Sequence, residues 1–207
     1  VSGWYPGLTK STDDGTTWSA YDAVDFRLIP GLTAYERLFD NKKGDAFVSY
    51  TGDMNVDADG YAHLLFAVTD TTIDNNTGVN ALVELNQTAG GWEGKVVYSG
   101  LDNDIYTKYG NADDNPGIGQ MGDAPFLAIS EDGNFYCATW VDKNPDVTDT
   151  ICAIYYSTRT KTTDWTPRAR VTTENTMNFN GHHMTPKVHK VEDGKYMTFH
   201  MVWYQAG

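Results

Sequence analysis

The chain has 207 residues and a formal charge of −13, which comes from 28 acidic against 15 basic side chains. A field of this sign repels phosphate groups, so it argues against a nucleic-acid partner, and it keeps a protein soluble outside the cell. No apolar run approaches the length of a membrane span. The 13 Tyr, 8 Phe and 6 Trp, with many Thr, Asn, Asp and Gly, favour strands joined by tight turns. We therefore predict an all-β protein that is secreted or held at a cell surface.

The first predicted element is a pair of strands within residues 1–30, joined by a turn of distinctive composition. The turn reads Ser11-Thr12-Asp13-Asp14-Gly15-Thr16-Thr17-Trp18, and it matches Ser-x-Asp-x-Gly-x-Thr-Trp at every fixed position: Ser11, Asp13, Gly15, Thr17 and Trp18. This motif resembles the Asp box, or BNR repeat, of sialidase-like β-propellers. The resemblance implies a structural turn in which Ser11 and Asp13 bind backbone amides, Gly15 takes a positive φ and Trp18 packs between blades.

Three Asp-Gly pairs follow along the chain, each between two strand-like runs: Asp59-Gly60, Asp132-Gly133 and Asp193-Gly194. We expect a two-residue hairpin turn at each pair, with both residues at positive φ. Further strand pairs are predicted around Gly91 and around Asp164. Units of four strands at this spacing are typical of propeller blades.

These elements predict a β-propeller of four-stranded antiparallel blades. The chain divides into a half-blade at 1–30, a blade at 45–100, a blade at 115–172 and a half-blade at 180–207, about three blades in all. Closed propellers use at least four blades, because fewer would leave strand edges exposed. We therefore expect the chain to be a fragment, with the missing blades supplied by the rest of a longer protein or by another chain.

The resemblance also indicates where a ligand would bind. Propellers bind at the face that carries the loops leading into each innermost strand and the loops that join second to third strands. In this chain the first kind of loop contains Asp123, His182 and His183, and the second kind contains Asp142 and Lys143. These five residues are the candidate binding residues.

Four residues are candidates for catalysis: Asp123, His182, His183 and Arg27. The two histidines could act as a general base or bind a metal, or they could be polar loop residues without such a role. Arg27 lies in Phe26-Arg27-Leu28-Ile29-Pro30, which is similar to the Arg-Ile-Pro motif of sialidases but has one inserted residue. The alternative is that the arginines are structural, in bidentate or cation–π contacts.

Calcium is the one cofactor that the sequence suggests. Asn55, Asp57 and Asp59 alternate along the chain like the oxygen ligands of a calcium loop. Phe66 stands where an EF-hand requires a bidentate Glu, so an EF-hand is excluded. The alternative is that these residues serve the hairpin turn, with no metal bound.

The two cysteines, Cys137 and Cys152, lie on either side of a loop that we expect to be centred near Asn144. With that centre they face one another or nearly so. They then form either a cross-strand disulfide or a pair of buried thiols.

Two functions remain open from the sequence. The first is a non-catalytic propeller module that binds a glycan or another protein, or that forms part of a larger extracellular assembly. The second is a carbohydrate-active enzyme, a sialidase-like hydrolase or a polysaccharide lyase, with only part of its active site in this chain. The absence of a paired-carboxylate or triad pattern favours the first.

Overall fold

The computed structural model describes residues 6–25, 28–32, 48–68, 80–101, 125–146, 152–173, 178–190 and 197–206. Within these ranges the chain forms strands and turns without an α-helix, so the predicted all-β class is confirmed. No helix in the described part of the chain has the length and apolar character needed to cross a membrane. The strands are β1 (Gly7–Leu8), β2 (Asp22–Ala23), β3 (Val48–Val56), β4 (Ala62–Val68), β5 (Asn80–Thr88), β6 (Gly91–Leu101), β7 (Phe126–Ser130), β8 (Phe135–Lys143), β9 (Cys152–Thr160), β10 (Ala169–Arg170), β11 (Asn178–Met184), β12 (Lys187–Lys190), β13 (Met197–Thr198) and β14 (Met201–Ala206).

The first sheet has four antiparallel strands in the order β3-β4-β5-β6. β3 and β4 flank the predicted turn at Asp59-Gly60, and Val56 pairs with Ala62 across it. β5 and β6 close on a shorter turn, at which Thr88 pairs with Gly91. All four strands lie where the sequence predicted them in residues 45–100.

The second sheet has the order β10-β9-β8-β7-β12-β13. Its first four strands are antiparallel neighbours and match the strands predicted in residues 115–172. β12 joins the other edge of β7 in parallel, with Val188 opposite Ser130. A parallel neighbour from a distant part of the chain is not a hairpin partner, and the sequence did not predict it.

The strand β7 contacts the end of β3 and pairs with the beginning of β12. The Leu127 backbone N–H donates to Asp53 Oδ2 at 2.8 Å. Asn55 Nδ2 donates to the backbone oxygens of Leu127 at 3.2 Å and Pro186 at 2.7 Å. These three strands are the first strands of the three Asp-Gly repeats.

Packing between the sheets follows the alternation of apolar residues along the strands. The main core lies between the two sheets and contains Leu65 and Leu82 from the first and Leu127, Tyr136 and Trp140 from the second. The opposite face of the first sheet is covered by Val24, Ile29 and Leu32 of the amino-terminal segment, and the opposite face of the second sheet by Met184 of β11 and Met201 of β14. The described elements therefore form successive layers, with both sheets covered on both faces.

The carboxyl-terminal region differs from the predicted pair of strands. β12 and β13 form the expected antiparallel pair, with His189 opposite Thr198. Residues 180–184, which we expected in a loop, instead belong to β11, which pairs with β14. The expectation was wrong because Asn, Gly and His disfavour strands on their own, and pairing with β14 overrides that preference.

The Asp-Gly turns also differ from the expected two-residue type. The Gly60 N–H donates to Asp57 O at 3.1 Å, and the Gly133 N–H donates to Ser130 O at 2.8 Å. Gly60 and Gly133 take φ values of 82° and 69°, whereas Asp14 is the one non-glycine residue at positive φ in the described chain. Each turn is thus a four-residue turn that ends on a left-handed glycine, a geometry that needs a positive φ at Gly alone. The third Asp-Gly pair lies outside the described residues.

Candidate functional site

The turn at residues 11–18 is held by its own side chains. Ser11 Oγ donates to Asp13 Oδ1 and accepts from the Gly15 N–H, both at 2.8 Å. Asp13 accepts from the backbone N–H of Thr17 at 2.8 Å and from its hydroxyl at 2.7 Å. Gly15 has a φ of 83°. These bonds hold the turn in its conformation, and they lower the pKa of Asp13.

The Trp18 side chain is 64% exposed, and its Nε1–H donates to the Gly15 carbonyl at 3.1 Å. The indole thus folds back on its own turn and leaves most of its surface in solvent. Its packing between blades stays a prediction.

A buried ionic network joins the two sheets, and its centre is Glu84 on β5. Arg159, on β9, donates to Glu84 Oε2 from Nε at 2.9 Å and to Oε1 from Nη2 at 2.6 Å. Trp165 Nε1 donates to Oε2 at 3.0 Å, and His63 Nδ1 lies 2.9 Å from Oε1. His63 Nε2 lies 3.4 Å from Asp57 Oδ2. The carboxylate of Glu84 is thus shared by three side chains from β4, β9 and the segment after β9.

This network is sealed from solvent. Glu84, His63 and Arg159 are 0%, 1% and 2% exposed. Burial alone would raise the pKa of Glu84, but the hydrogen bond from His63 and the charge of Arg159 outweigh it and lower that pKa. The guanidinium also lies over the ring of Tyr136, 3.6 Å from its centroid. For Arg159 this confirms the structural alternative, because a substrate has no access to it.

A second polar cluster, which we call the Arg168 cluster, reaches the surface. It consists of Asp142, Lys143, Asn144, Asp146, Arg168, Arg170, Tyr98 and Tyr155. Arg168 donates to Asp142, and its side chain remains 22% exposed whereas that of Asp142 is 3% exposed. The guanidinium lies between two tyrosine rings, 4.4 Å from the centroids of both Tyr98 and Tyr155.

The rest of the Arg168 cluster extends toward solvent along the short strand β10. Arg170 Nη1 donates to Asn144 Oδ1 at 3.0 Å and to Asp146 Oδ2 at 3.2 Å. The Tyr155 hydroxyl donates to the Lys143 carbonyl at 3.2 Å, and burial raises the pKa of Tyr155. The two arginines of the cluster are paired with Asp142 and Asp146, and these pairs fix the positions of its hydrogen-bonding groups.

The predicted binding residues fall in three places. Asp142 and Lys143 end β8 and belong to the Arg168 cluster. His182 and His183 lie inside β11, where their backbones pair with those of Trp203 and Val202. Asp123 and Arg27 lie outside the described residues.

The calcium candidates do not converge on one point. Asn55 donates to two carbonyls, and Asp57 Oδ1 accepts from the backbone N–H groups of Asp59 and Tyr61 at 3.0 and 2.9 Å. Asp59 forms an ion pair with Lys161. In the described ranges, no group of three or more His, Cys, Asp or Glu side chains is placed to hold a metal ion. Each candidate therefore serves the β3–β4 turn and its contacts.

The cysteines are free buried thiols, and the expectation that they face one another was wrong. Cys137 pairs with Thr158, whereas Cys152 pairs with Lys143. The loop is centred three residues later than we assumed, so the two lie about 20 Å apart along β8 at 3.3 Å per residue, beyond disulfide reach. Burial raises the pKa of Cys137 to about 12, which keeps this thiol unreactive.

The sequence did not single out Glu84, His63 or Trp165. A signal was present in Ala81-Leu82-Val83-Glu84-Leu85, since a lone carboxylate inside an apolar strand requires a buried partner. The partner could not be named, because Arg159 lies 75 residues away.

Comparison with models of protein families, with curated proteins and with solved structures found no match to this chain.

Proposed function

We propose that the chain is a non-catalytic carbohydrate-binding module of the β-propeller class, in a secreted or cell-surface protein, and that the Arg168 cluster is its binding surface. The observation that carries the proposal is the guanidinium of Arg168, which is fixed by Asp142 between Tyr98 and Tyr155 while its side chain remains 22% exposed. Sugars are bound by planar side chains that contact their C–H faces and by fixed donors and acceptors that bind their hydroxyls. In the cluster, the partly exposed Arg168 and Arg170 supply donors and the exposed Asp146 an acceptor, whereas Tyr155 is 4% exposed and positions the Arg168 guanidinium.

The charges of the cluster favour binding over catalysis. Asp142 is paired with Arg168, and Asp146 with Arg170. A glycosidase needs two carboxyl groups that face each other across the scissile bond, with one free to donate its proton. Neither carboxylate is free in this sense, because each is bound by an arginine.

The propeller assignment draws support from the arrangement of the strands. The four-stranded antiparallel first sheet packs against the antiparallel part of the six-stranded second sheet, in which β7 and β12 run parallel. In a propeller the innermost strands of successive blades run in the same direction around the central axis; β7 and β12 share a direction, and here they pair within one sheet.

Further blades from the same longer protein or from another chain are the proposed partners. Met54 and Val56 on β3 are 54% and 47% exposed, and Val202 and Trp203 on β14 are 66% and 47% exposed. Apolar side chains of this size gain free energy when a neighbouring sheet covers them.

The test is a binding measurement with defined oligosaccharides. The wild-type chain is titrated calorimetrically with neutral hexose oligomers and with uronate- and sialate-terminated glycans. Arg168→Ala should weaken binding by about 10- to 100-fold, since a hydrogen bond to a charged group contributes about 1.5–3 kcal/mol. Arg168→Lys, which keeps the charge but loses the planar fork, should restore only part of the affinity.

The matched control is Lys95→Ala, which removes a cation that is as partly exposed as Arg168 but is paired with Asp164, outside the Arg168 cluster, and it should leave affinity unchanged. Circular dichroism establishes that each variant is folded. Equal affinities of the Arg168 variants and the wild type would contradict the proposed site. Cleavage of any glycan during the titration would contradict the non-catalytic assignment and support the enzyme alternative.

A further inference from the structure

A pair of exposed histidines lies at the other end of the second sheet, away from the proposed sugar site in sequence and in contacts. His189 is on β12, and His200 lies between β13 and β14. Their ring centroids are 5.8 Å apart, with an interplanar angle of 62°. Both side chains are exposed. Neither imidazole has a hydrogen-bonding partner in the described part of the chain, so their nitrogens are uncommitted.

The spacing of the rings fits a shared metal ion. A Zn–N bond of about 2.0–2.1 Å places each ring centroid about 3.2 Å from the ion, and two such centroids at a tetrahedral angle are about 5.2 Å apart. The observed separation of 5.8 Å is slightly longer. Exposed rings can close this difference by small changes of their side-chain torsions.

The backbones that carry the two histidines are held in place. His189 pairs with Thr198 across β12 and β13. The carbonyl of His200 accepts from the Thr185 N–H at 2.9 Å. A site on fixed backbones loses less conformational entropy when it binds than a site on a free loop.

The electrostatic surroundings also favour a cation. His189 lines a surface cavity of about 290 Å³ together with Ser130, Glu131, Asp132 and Val188. Glu131 has no hydrogen-bonding or ionic partner within the described ranges, so its negative charge is not neutralised there. The net charge of −13 adds an attractive field for cations.

His63 provides an instructive contrast. Both of its ring nitrogens face carboxylates, those of Glu84 and Asp57, and its side chain is 1% exposed. An imidazole in that position cannot bind a metal ion without breaking the buried network. The exposed pair is free of this restriction.

We propose that His189 and His200 bind one divalent transition-metal ion of the class that prefers imidazole, Zn²⁺ or Cu²⁺. The two rings supply two donors, and water occupies the other coordination positions, because no third His, Cys, Asp or Glu of the described residues completes the set. Glu131 contributes charge and is not a ligand.

The proposal is tested by titrating the purified full chain with ZnCl₂ in a calorimeter. We expect one Zn²⁺ site per wild-type chain. His189→Gln and His200→Gln should each weaken Zn²⁺ affinity by at least about tenfold, since even the loss of a side chain that only orients a metal ligand weakens affinity by that factor. Titration with CuCl₂ should give an electron paramagnetic resonance spectrum with coupling to two nitrogen nuclei.

The control is Lys95→Ala, which changes a partly exposed side chain paired with Asp164 and should bind Zn²⁺ as the wild type does. Glu131→Gln should weaken binding only a few-fold. Circular dichroism of the metal-free variants establishes that they are folded. A wild-type chain without a Zn²⁺ site, or a site that disappears in the control and persists in the His189 and His200 variants, would overturn the proposal.

Discussion

At the scale of single residues, Glu84 has the most demanding position in the chain. Its carboxylate is fully buried and binds Arg159, His63 and Trp165 at once. A buried charge is tolerated only when its partners replace the water that it has lost. The side chains around Glu84 therefore depend on one another, and the loss of one leaves the others with an uncompensated charge.

Glu84→Gln is expected to destabilise the protein by about 3–5 kcal/mol, because it leaves the Arg159 guanidinium buried without its counter-charge. Urea unfolding followed by tryptophan fluorescence measures the change. The double variant Glu84→Gln/Arg159→Met should cost less than the sum of the two single changes, since it removes both charges.

Lys95→Ala is the control for this prediction. Lys95 pairs with Asp164, whose side chain is 96% exposed, and exposed ion pairs contribute about 0–1 kcal/mol. If Glu84→Gln and Lys95→Ala unfold at similar urea concentrations, the network does not hold the sheets together.

Residue types showed that such a network was needed but not where it would form. The lone Glu in Ala81–Leu85 and the five arginines were visible in the sequence, and for Arg159 the structural alternative is now confirmed. The pairing of Glu84 with Arg159 depends on how two sheets stack, which local patterns do not encode. The same holds for Arg168 with Asp142.

At the scale of the elements, the hairpins followed the sequence closely, whereas contacts between distant segments did not. The strands on both sides of Asp59-Gly60 and Asp132-Gly133 were predicted from turn chemistry and from the strand-like runs that flank each turn. The parallel pair of β7 and β12 and the strand β11 were not, since their partners are remote in sequence and their own composition is a weak guide.

Two glycines mark one of these distant contacts, where residues 28–32 cover the edge of β6. The Gly94 N–H donates to Pro30 O at 2.9 Å. A Cβ at Gly94 would lie 2.1 Å from Leu32 Cγ, and a Cβ at Gly31 would lie 2.2 Å from Gly94 O. Only glycines allow this close approach, through which Leu32 becomes fully buried.

Gly94→Ala is expected to cost about 1–3 kcal/mol, the usual cost of an overpacked contact, and to speed amide hydrogen exchange at position 94. Gly90→Ala is the control, because the nearest atom to its added Cβ would be Thr88 Oγ1 at 3.7 Å. Urea unfolding and exchange measured by NMR compare the two. Equal stabilities would mean that residues 28–32 do not depend on this contact.

At the scale of the whole molecule, the layers are held together by groups that respond to acid in opposite directions. Hydrogen bonds and nearby positive charge lower the pKa of Glu84 below its usual 4.5 despite burial. Burial raises the pKa of Asp53, whose carboxylate links β3 to β7 through the Leu127 N–H. Acidification therefore weakens the contacts that Glu84 makes between the sheets, whereas protonation of Asp53 removes the free-energy cost of burying its charge.

The opposite directions of the two pKa shifts give a test of whether Glu84 or Asp53 dominates the dependence of stability on pH. A carboxyl group whose pKa is lower in the folded than in the unfolded state, such as Glu84, stabilises the protein at pH values above its unfolded-state pKa. This stability is lost as the pH falls through the folded-state pKa. A raised pKa has the opposite effect, so protonation of Asp53 adds stability as the pH falls.

We expect the melting temperature of the wild type to drop as the pH falls below about 4.5, since Glu84 has the more deeply buried charge and the more numerous partners. Thermal melts by circular dichroism between pH 7 and pH 3 should show a flatter dependence for Glu84→Gln and a steeper one for Asp53→Asn. A Glu84→Gln profile parallel to that of the wild type would assign the acid response to other carboxylates.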